Sequence, residues 1–165
     1  MQLPYRKPGK YSQIPKDNLM TKAKFDELQK KLASLKAAQP QAAKDVARLA
    51  EMGDFSENVE YQLAKGRLRG INQNITQIEY DLEHAEIIRA NKNSGVVEIG
   101  STVTVDSEKG SSTFQILGSS ETNPAKGIIS HTSPIGAALL GHTEGQKIKI
   151  HIGNKDVEYR IVKIQ

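Results

Sequence analysis

The stretch FDELQKKLASLKAAQPQAAKDVARL, Phe25 to Leu49, decides the fold. Phe25, Leu28, Leu32, Leu35, Gln39, Ala42, Val46 and Leu49 are spaced by an unbroken alternation of three and four. That spacing returns side chains to one side of an α-helix and predicts a helix packed along a narrow seam. Upstream, Thr21 is an expected N-cap, with Asn18 competing for the role. Pro40 lies inside the pattern and is expected to bend or locally break the helix, because it removes a donor and crowds the preceding turn.

A second series continues with Tyr61, Ala64, Leu68, Ile71, Ile75, Ile78, Leu82 and Ala85. Two such seams, joined by a few residues around Gly53, predict an antiparallel helical hairpin, a coiled coil formed within one chain. Arms of about 30 residues would each extend roughly 45 Å. Gly66 and Gly70 fall inside the second arm, where each costs about 1 kcal/mol relative to Ala. A hairpin that buries its own seam is expected to be a monomer.

After Asn91 the period changes. Val96 and Val97, then Ser101–Val105, Ser112–Leu117, Lys126–Ser130, Gln146–Ile152 and Val157–Ile164 read as short strands punctuated by Gly, Ser and Asn. Gly153 and Asn154 are expected to begin a hairpin turn. In SPIGAALLG, Ser133 can cap a short helix, Pro134 can occupy its first position and Gly141 can end it. The expected fold class is α+β, with residues 1–18 an arm, 19–90 a helical hairpin and 91–165 a small sheet-and-helix domain.

Composition agrees with small aliphatic cores: of 165 residues 37% are hydrophobic but only 5% aromatic, and Trp is absent. The absence of Cys excludes disulfides, thiolate metal sites and cysteine nucleophiles. Neither an apolar leader nor a membrane-length apolar run is present, which predicts a soluble, cytoplasmic protein. The net charge of +4 divides unevenly: residues 1–18 carry four basic groups against one acid, 19–90 eleven against eleven, and 91–165 eight against seven. The basic excess therefore sits mostly in the proline-containing arm, whose few aliphatic residues cannot offset its ordering entropy.

At the hairpin's turn the signs separate. Glu51, Asp54, Glu57 and Glu60 occur without an intervening positive charge, and Lys65, Arg67 and Arg69 follow at once. Asp54 with Glu57 three residues later fits a capping box opening the second helix. The same pair also offers oxygens to a hard cation, as half of a Mg²⁺ site whose other ligands would come from a substrate phosphate or another protein.

GDFSENVEY, Gly53 to Tyr61, resembles the tip sequence of the bacterial Gre transcript-cleavage factors, GreA and GreB. That tip combines a Gly-Asp pair, Glu-Asn three residues after the Asp, and an acid followed by Tyr; here these are Gly53, Asp54, Glu57, Asn58, Glu60 and Tyr61. A second, distant stretch, ISHTSPIGAALLG from Ile129 to Gly141, is similar to the family's carboxy-terminal signature. Order and spacing agree over residues 19–165.

The resemblance implies a hairpin inserted through the secondary channel of bacterial RNA polymerase and an FKBP-like domain docking at the channel's rim. It implies that Asp54 and Glu57 help the polymerase hold a shared catalytic Mg²⁺ and orient water for cleavage of a backtracked transcript, with Asn58, Glu60 and Tyr61 supporting the tip. No metal is expected on the free protein. The factor would stimulate the polymerase's own nuclease activity without itself being an enzyme. Lys44, Arg48, Lys65, Arg67 and Arg69 are candidate contacts to the extruded RNA 3′ end, and Ser133, Pro134 and Ile135 match the polymerase-docking loop. The arm and KGRLRGI (Lys65 to Ile71) resemble GreB-like members, SPIGAALLG resembles GreA-like ones, and the balance leans slightly to GreB-like.

Two rival classes follow from the same residues. A channel occupant or structural adaptor could share the fold without stimulating cleavage, although retention of both acids favours cleavage. A prolyl isomerase is disfavoured, because residues 95–165 contain only Phe114 and Tyr159 as aromatics for a proline pocket. His84, His131, His142 and His151 lack metal-ligand spacing, and adjacency of Ser130 and His131 does not make a catalytic triad.

Overall fold

The computed structural model describes residues 17–52, 58–89, 95–108, 110–152 and 155–165. The chain divides into two compact units, Met20–Ile88 and the remainder.

In the first unit, helix α1 spans Lys22–Glu51 and helix α2 spans Val59–Glu83, and they pack on each other along the expected seams. Ala42 and Leu49 of α1 and Ile75 and Ile78 of α2 are buried. The other seam positions, from Phe25 to Leu82, are half-buried, as expected of a two-helix pair with solvent on both sides. Lys36 reaches Glu79 across the pair at 2.6 Å, and Gln39 Nε2 donates to Asn72 Oδ1 at 2.7 Å. Gln39 thus fills a polar step in the apolar seam with a hydrogen bond and does not leave an amide buried alone.

Thr21 caps α1, its Oγ1 accepting from Lys24 N–H at 3.2 Å. The helix continues through Pro40 without a break, contrary to one of the two expected outcomes. Pro40 is exposed while its neighbours Gln39 and Ala42 face the seam, so packing on both sides of the proline holds the turn it weakens. Preceding and following the hairpin, short strands β1 (Leu19–Met20) and β2 (Glu86–Ile87) pair, and Ile88 N–H donates to Met20 O at 2.9 Å.

Gly66 and Gly70 sit within uninterrupted α2, and a Cβ at either would meet nothing within 4 Å. Gly66→Ala and Gly70→Ala are each expected to stabilise the protein by about 0.8–1 kcal/mol, since only backbone entropy changes. A thermal unfolding midpoint below wild type for either variant would show that the glycine meets a steric demand within the chain.

The second unit holds a five-stranded sheet in the order β5-β4-β3-β7-β6, from β3 (Thr102–Ser107), β4 (Gly110–Leu117), β5 (Ile128–Ser130), β6 (Lys147–Ile152) and β7 (Lys155–Ile164). Neighbours are antiparallel except β4 and β5, whose parallel pairing needs a crossover, supplied by two 3₁₀ turns at Ser119–Glu121 and Pro124–Lys126. Gly127 closes that crossover at φ 72°, where a Cβ would come within 2.6 Å of Thr113 O.

The core is aliphatic, as composition required: Val97, Val103, Val105, Ile116, Ile129, Leu139, Ile148, Ile150 and Ile161. Phe114 and Tyr159 pack against its margin. The β3–β7 register slips between Thr104 and Val105, pairing them with Lys163 and Ile161 and leaving Val162 as the extra residue. The bulge explains how Ile161 and Ile164 both face inward although odd spacing would send one outward, and why Val162 is 45% exposed.

Val96 and Val97 do not form the expected strand. Val96 makes an isolated bridge to Thr143, and Val97 exchanges backbone hydrogen bonds with His142 O and Gly141 N–H, using the loop after the short helix α3 (Pro134–Leu139) as its partner. Gly153 and Asn154 lie outside the described residues, although Ile152 pairs with Lys155 across them.

Of the stretch read as an arm, only Asp17 and Asn18 are described. The Asp17 carboxylate accepts from Ser119 N–H at 3.0 Å and Leu19 N–H at 3.2 Å, fastening this end of the segment to the crossover. On the exposed sheet surface, a hydrogen bond from Lys147 holds the Glu158 carboxyl below its usual range. Its small contribution is present at neutral pH and is lost as pH falls through the lowered value.

Candidate functional site

The two helices end toward the same connection, residues 53–57, which carries Asp54 and Glu57 and lies outside the described residues. Everything around it can be built from the flanking turns. Glu51 is the last residue of α1 and is exposed. Met52 closes the helix, its N–H reaching Leu49 O at 3.4 Å.

Helix α2 is capped by Asn58 and not by Asp54, which corrects the capping-box expectation. Asn58 Oδ1 accepts from Tyr61 N–H at 3.1 Å, the bond to the third helical residue that a short polar side chain in extended conformation makes well. Asp54 and Glu57 themselves lie outside the described residues, and the cap of α2 is Asn58. Asn58→Ala is expected to cost about 1 kcal/mol of stability through loss of that bond, read as a lower urea midpoint with unchanged slope. No loss would indicate that another group caps α2.

Glu60 stands in the first turn of α2, exposed, where the helix dipole favours a negative charge. Tyr61 is half-buried at the first seam position, and Lys65 Nζ lies 5.9 Å from its ring centroid. Of the supporting residues, Asn58 and Tyr61 thus shape the tip, while Glu60 remains available to solvent.

The basic candidates divide. Arg48 and Arg67 line one groove between the helices with Asp45, Glu60, Leu63 and Ala64. Lys65 and Arg69, one turn apart, share the other flank of α2. Lys44 lies one turn further from the tip than Arg48 and is exposed. None of these five makes an ion pair among the described residues, in contrast to Lys22, Lys24 and Lys36. Unpaired cations on two flanks of a rod can meet a polyanion that passes along it.

An apolar feature escaped the sequence reading. Met52, Val59 and Leu63 are 68–69% exposed beside the acidic connection. Leu63 breaks the three-four pattern, and that departure was the available signal.

Among the described residues no group of three or more His, Asp or Glu can hold a metal. Asp54 and Glu57 provide two carboxylates, a donor set suited to Mg²⁺ when further ligands come from elsewhere.

In the globular unit, Ser133 Oγ accepts from Gly136 N–H at 3.0 Å and donates to Ser130 O at 2.7 Å, capping α3 as expected. Pro134 is exposed at the helix start, while Ile135 packs partly against the core. The three docking candidates therefore differ: Pro134 is a surface, Ser133 a cap and Ile135 a bridge between surface and core.

The chain matches two family models, "Transcription elongation factor, N-terminal" over residues 18–87 and "Transcription elongation factor, GreA/GreB, C-term" over residues 92–165. It is 36% identical to transcription elongation factor GreA of Macrococcus caseolyticus over 92% of this chain and 99% of that protein. With GreA of Paracoccus denitrificans the identity is 33%, over 88% and 96%. A solved structure, GreA factor homolog 1 (Gfh1) of Thermus thermophilus, is 28% identical, with a TM-score of 0.40 over 88% of this chain and 97% of that one.

Proposed function

The chain belongs to the GreA/GreB family of transcription elongation factors, and from that premise we propose that it enters the secondary channel of RNA polymerase hairpin first and stimulates cleavage of backtracked transcripts. The observation that carries this reading is the hairpin itself: α1 and α2 converge on a five-residue connection containing Asp54 and Glu57, and the cap of α2 is supplied by Asn58 instead.

Asp54 and Glu57 would hold a shared Mg²⁺ together with groups of the polymerase and would accept hydrogen bonds from the attacking water. When bound, the metal would supply charge neutralisation at the scissile phosphate. Asn58 and Tyr61 fix the exit of the connection into α2, and Glu60 adds negative potential beside it. Lys44, Arg48, Lys65, Arg67 and Arg69 contact phosphates of the extruded RNA 3′ end. Ser133, Pro134 and Ile135 dock at the channel rim, with Pro134 as the exposed contact.

In this reading the active site belongs to the polymerase, so the protein is a stimulating factor and not an enzyme, carries no resident metal, and works as one copy per polymerase in the cytoplasm. No helix among the described residues is long and apolar enough to cross a membrane.

The test is RNA length in a stalled, backtracked polymerase complex with Mg²⁺. Addition of the protein is expected to shorten the transcript from its 3′ end and to restore elongation. Binding to polymerase without shortening would replace this reading by that of a channel occupant.

A further inference from the structure

Among the described residues one buried side-chain atom lacks a hydrogen-bond partner, Nδ1 of His131. Leaving a buried polar atom unpaired is costly, and its surroundings give the reason it is tolerated. The backbone on both sides of it is fixed. His131 N–H donates to Leu117 O at 3.0 Å, at the end of β4, and Ser133 N–H donates to Ser130 O at 3.0 Å. Thr132 N–H adds a bond to Ser130 Oγ at 3.2 Å. The ring thus owes its position to this tight turn and not to any bond made by Nδ1.

Nδ1 faces the Asp17 carboxylate, with Oδ2 at 3.9 Å and only 18% and 16% of the two side chains exposed. That separation is too long for a hydrogen bond and too short to hold a bridging water. Neither neutral tautomer suits it. With the proton on Nε2, a lone pair points at a carboxylate; with the proton on Nδ1, the donor stops short of its acceptor. An imidazolium instead brings both an N–H and a positive charge to the carboxylate, which draws the pair together.

The same carboxylate is the centre of a clamp. It accepts from Ser119 N–H at 3.0 Å and from Leu19 N–H at 3.2 Å, while Ser120 Oγ donates to Leu19 O at 3.5 Å. Gly118 makes room for this close approach, since a Cβ there would collide with Leu19 O and come within 2.8 Å of Asp17 Oδ1. Residues 17–19 are the last of the globular unit before the chain passes into the helical unit at Met20.

We propose that His131 and Asp17 form a proton-operated latch: protonation of His131 draws Nδ1 onto Asp17 Oδ2 and tightens the hold of the crossover on residues 17–19, and loss of the proton loosens it. The clamp is tightest at a pH below the titration of His131 and weakens as pH rises through it. Histidine titrates in a range where carboxylates are already ionised, so His131 is the group that switches.

The other charges nearby are few. Of the elements packed against this turn, the crossover carries Glu121, half-buried, and Lys126, exposed, whereas β4 and α3 carry no ionisable side chain. Glu121 favours the protonated ring as Asp17 does, and Lys126 opposes it through solvent. Lys16 precedes Asp17 in sequence and keeps its charge throughout this pH range. Among the described residues only Asp17 comes within ion-pair distance of His131. His131 stands two residues before Ser133, so the latch also steadies the approach to the docking loop; that consequence alone rests on the proposed function.

Amide hydrogen exchange of the full chain, without polymerase, tests the latch separately from cleavage and docking. It reads the clamp at its two donors, Leu19 N–H and Ser119 N–H. After correction for the intrinsic pH dependence of exchange, wild-type protection at both is expected to fall about three- to tenfold between about pH 5.5 and about pH 8. His131→Asn places an uncharged donor near the position of Nδ1 and should abolish that fall. Asp17→Asn removes the carboxylate charge and should lower protection at both pH values alike. His84, His142 and His151 remain in both variants, so their titration cancels from the comparison. The amides of Ile116 and Ile161, bonded to Ser101 O and Gln146 O in the core, report whether each variant is folded. If His131→Asn loses protection there, Asp17→Asn decides alone, and the reverse holds. Wild-type protection that is equal at the two pH values, or a fall that persists in the folded variants, overturns the proposal.

Discussion

Asp54→Asn combined with Glu57→Gln is expected to lower stimulated transcript cleavage to the polymerase's own background, while helix content and polymerase binding stay unchanged. Both changes keep side-chain size and remove only the charge that a hard cation requires. Loss of a metal contact at the reacting phosphate costs several kcal/mol of transition-state stabilisation, on the order of 100-fold or more in rate. Stability should barely change, because α2 is capped by Asn58. Raising the Mg²⁺ concentration should partly rescue a single substitution and not the double one. Full cleavage by the double variant would remove the acids from the mechanism and leave them as surface charge.

Gly136→Ala should be strongly damaging to folding. Gly136 lies in the first turn of α3, buried, and a Cβ there would collide with the carbonyl oxygen of Ser130 and come within 3.0 Å of Ser133 Oγ. That carbonyl is fixed at the end of β5 by strand pairing and by the hydroxyl of Ser133, so it cannot move aside cheaply. The expected cost is about 2–3 kcal/mol, lowering the unfolding midpoint by roughly 10 °C or more. Ser133 and Pro134 would shift with the helix, so under the proposed docking role polymerase affinity should fall as well. A variant with wild-type stability would mean that β5 and α3 can separate without loss.

Much of the chain was legible because its elements are strongly periodic. Both helical seams lie where the three-four spacing put them, and Thr21 and Ser133 cap the helices they precede. Of the candidate site, the sequence located the acidic connection but assigned the wrong cap. Asp54/Glu57 and Asn58/Tyr61 both satisfy the three-residue spacing of a capping bond, and spacing alone cannot choose between overlapping candidates. The outcome depended on where the backbone first became helical, at Val59.

The basic residues show the same limit. Lys65, Arg67 and Arg69 are neighbours in sequence, yet the turn of the helix sends Arg67 to the groove with Arg48 and the other two to the opposite flank. The relatives from Macrococcus caseolyticus and Paracoccus denitrificans are GreA proteins, whereas the arm and the second helix leaned slightly toward GreB-like members. Overall sequence similarity averages over many positions and weighs a short basic segment lightly.

By itself, then, the sequence determined what is periodic or composed: two helices with one seam each, an aliphatic core without Trp or Cys, and an acidic connection followed by cations. Only the tertiary structure decided what depends on partners distant in the chain. The bulge at Val162, the pairing of Val97 with the loop after α3, the crossover that Asp17 fastens and the continuity of α1 through Pro40 are all of this kind. The physical reason is common to them. Periodicity reports which side of an element is apolar, whereas registers, bulges and tolerated prolines are set by competition among hydrogen-bond and packing partners that meet only when the chain is folded.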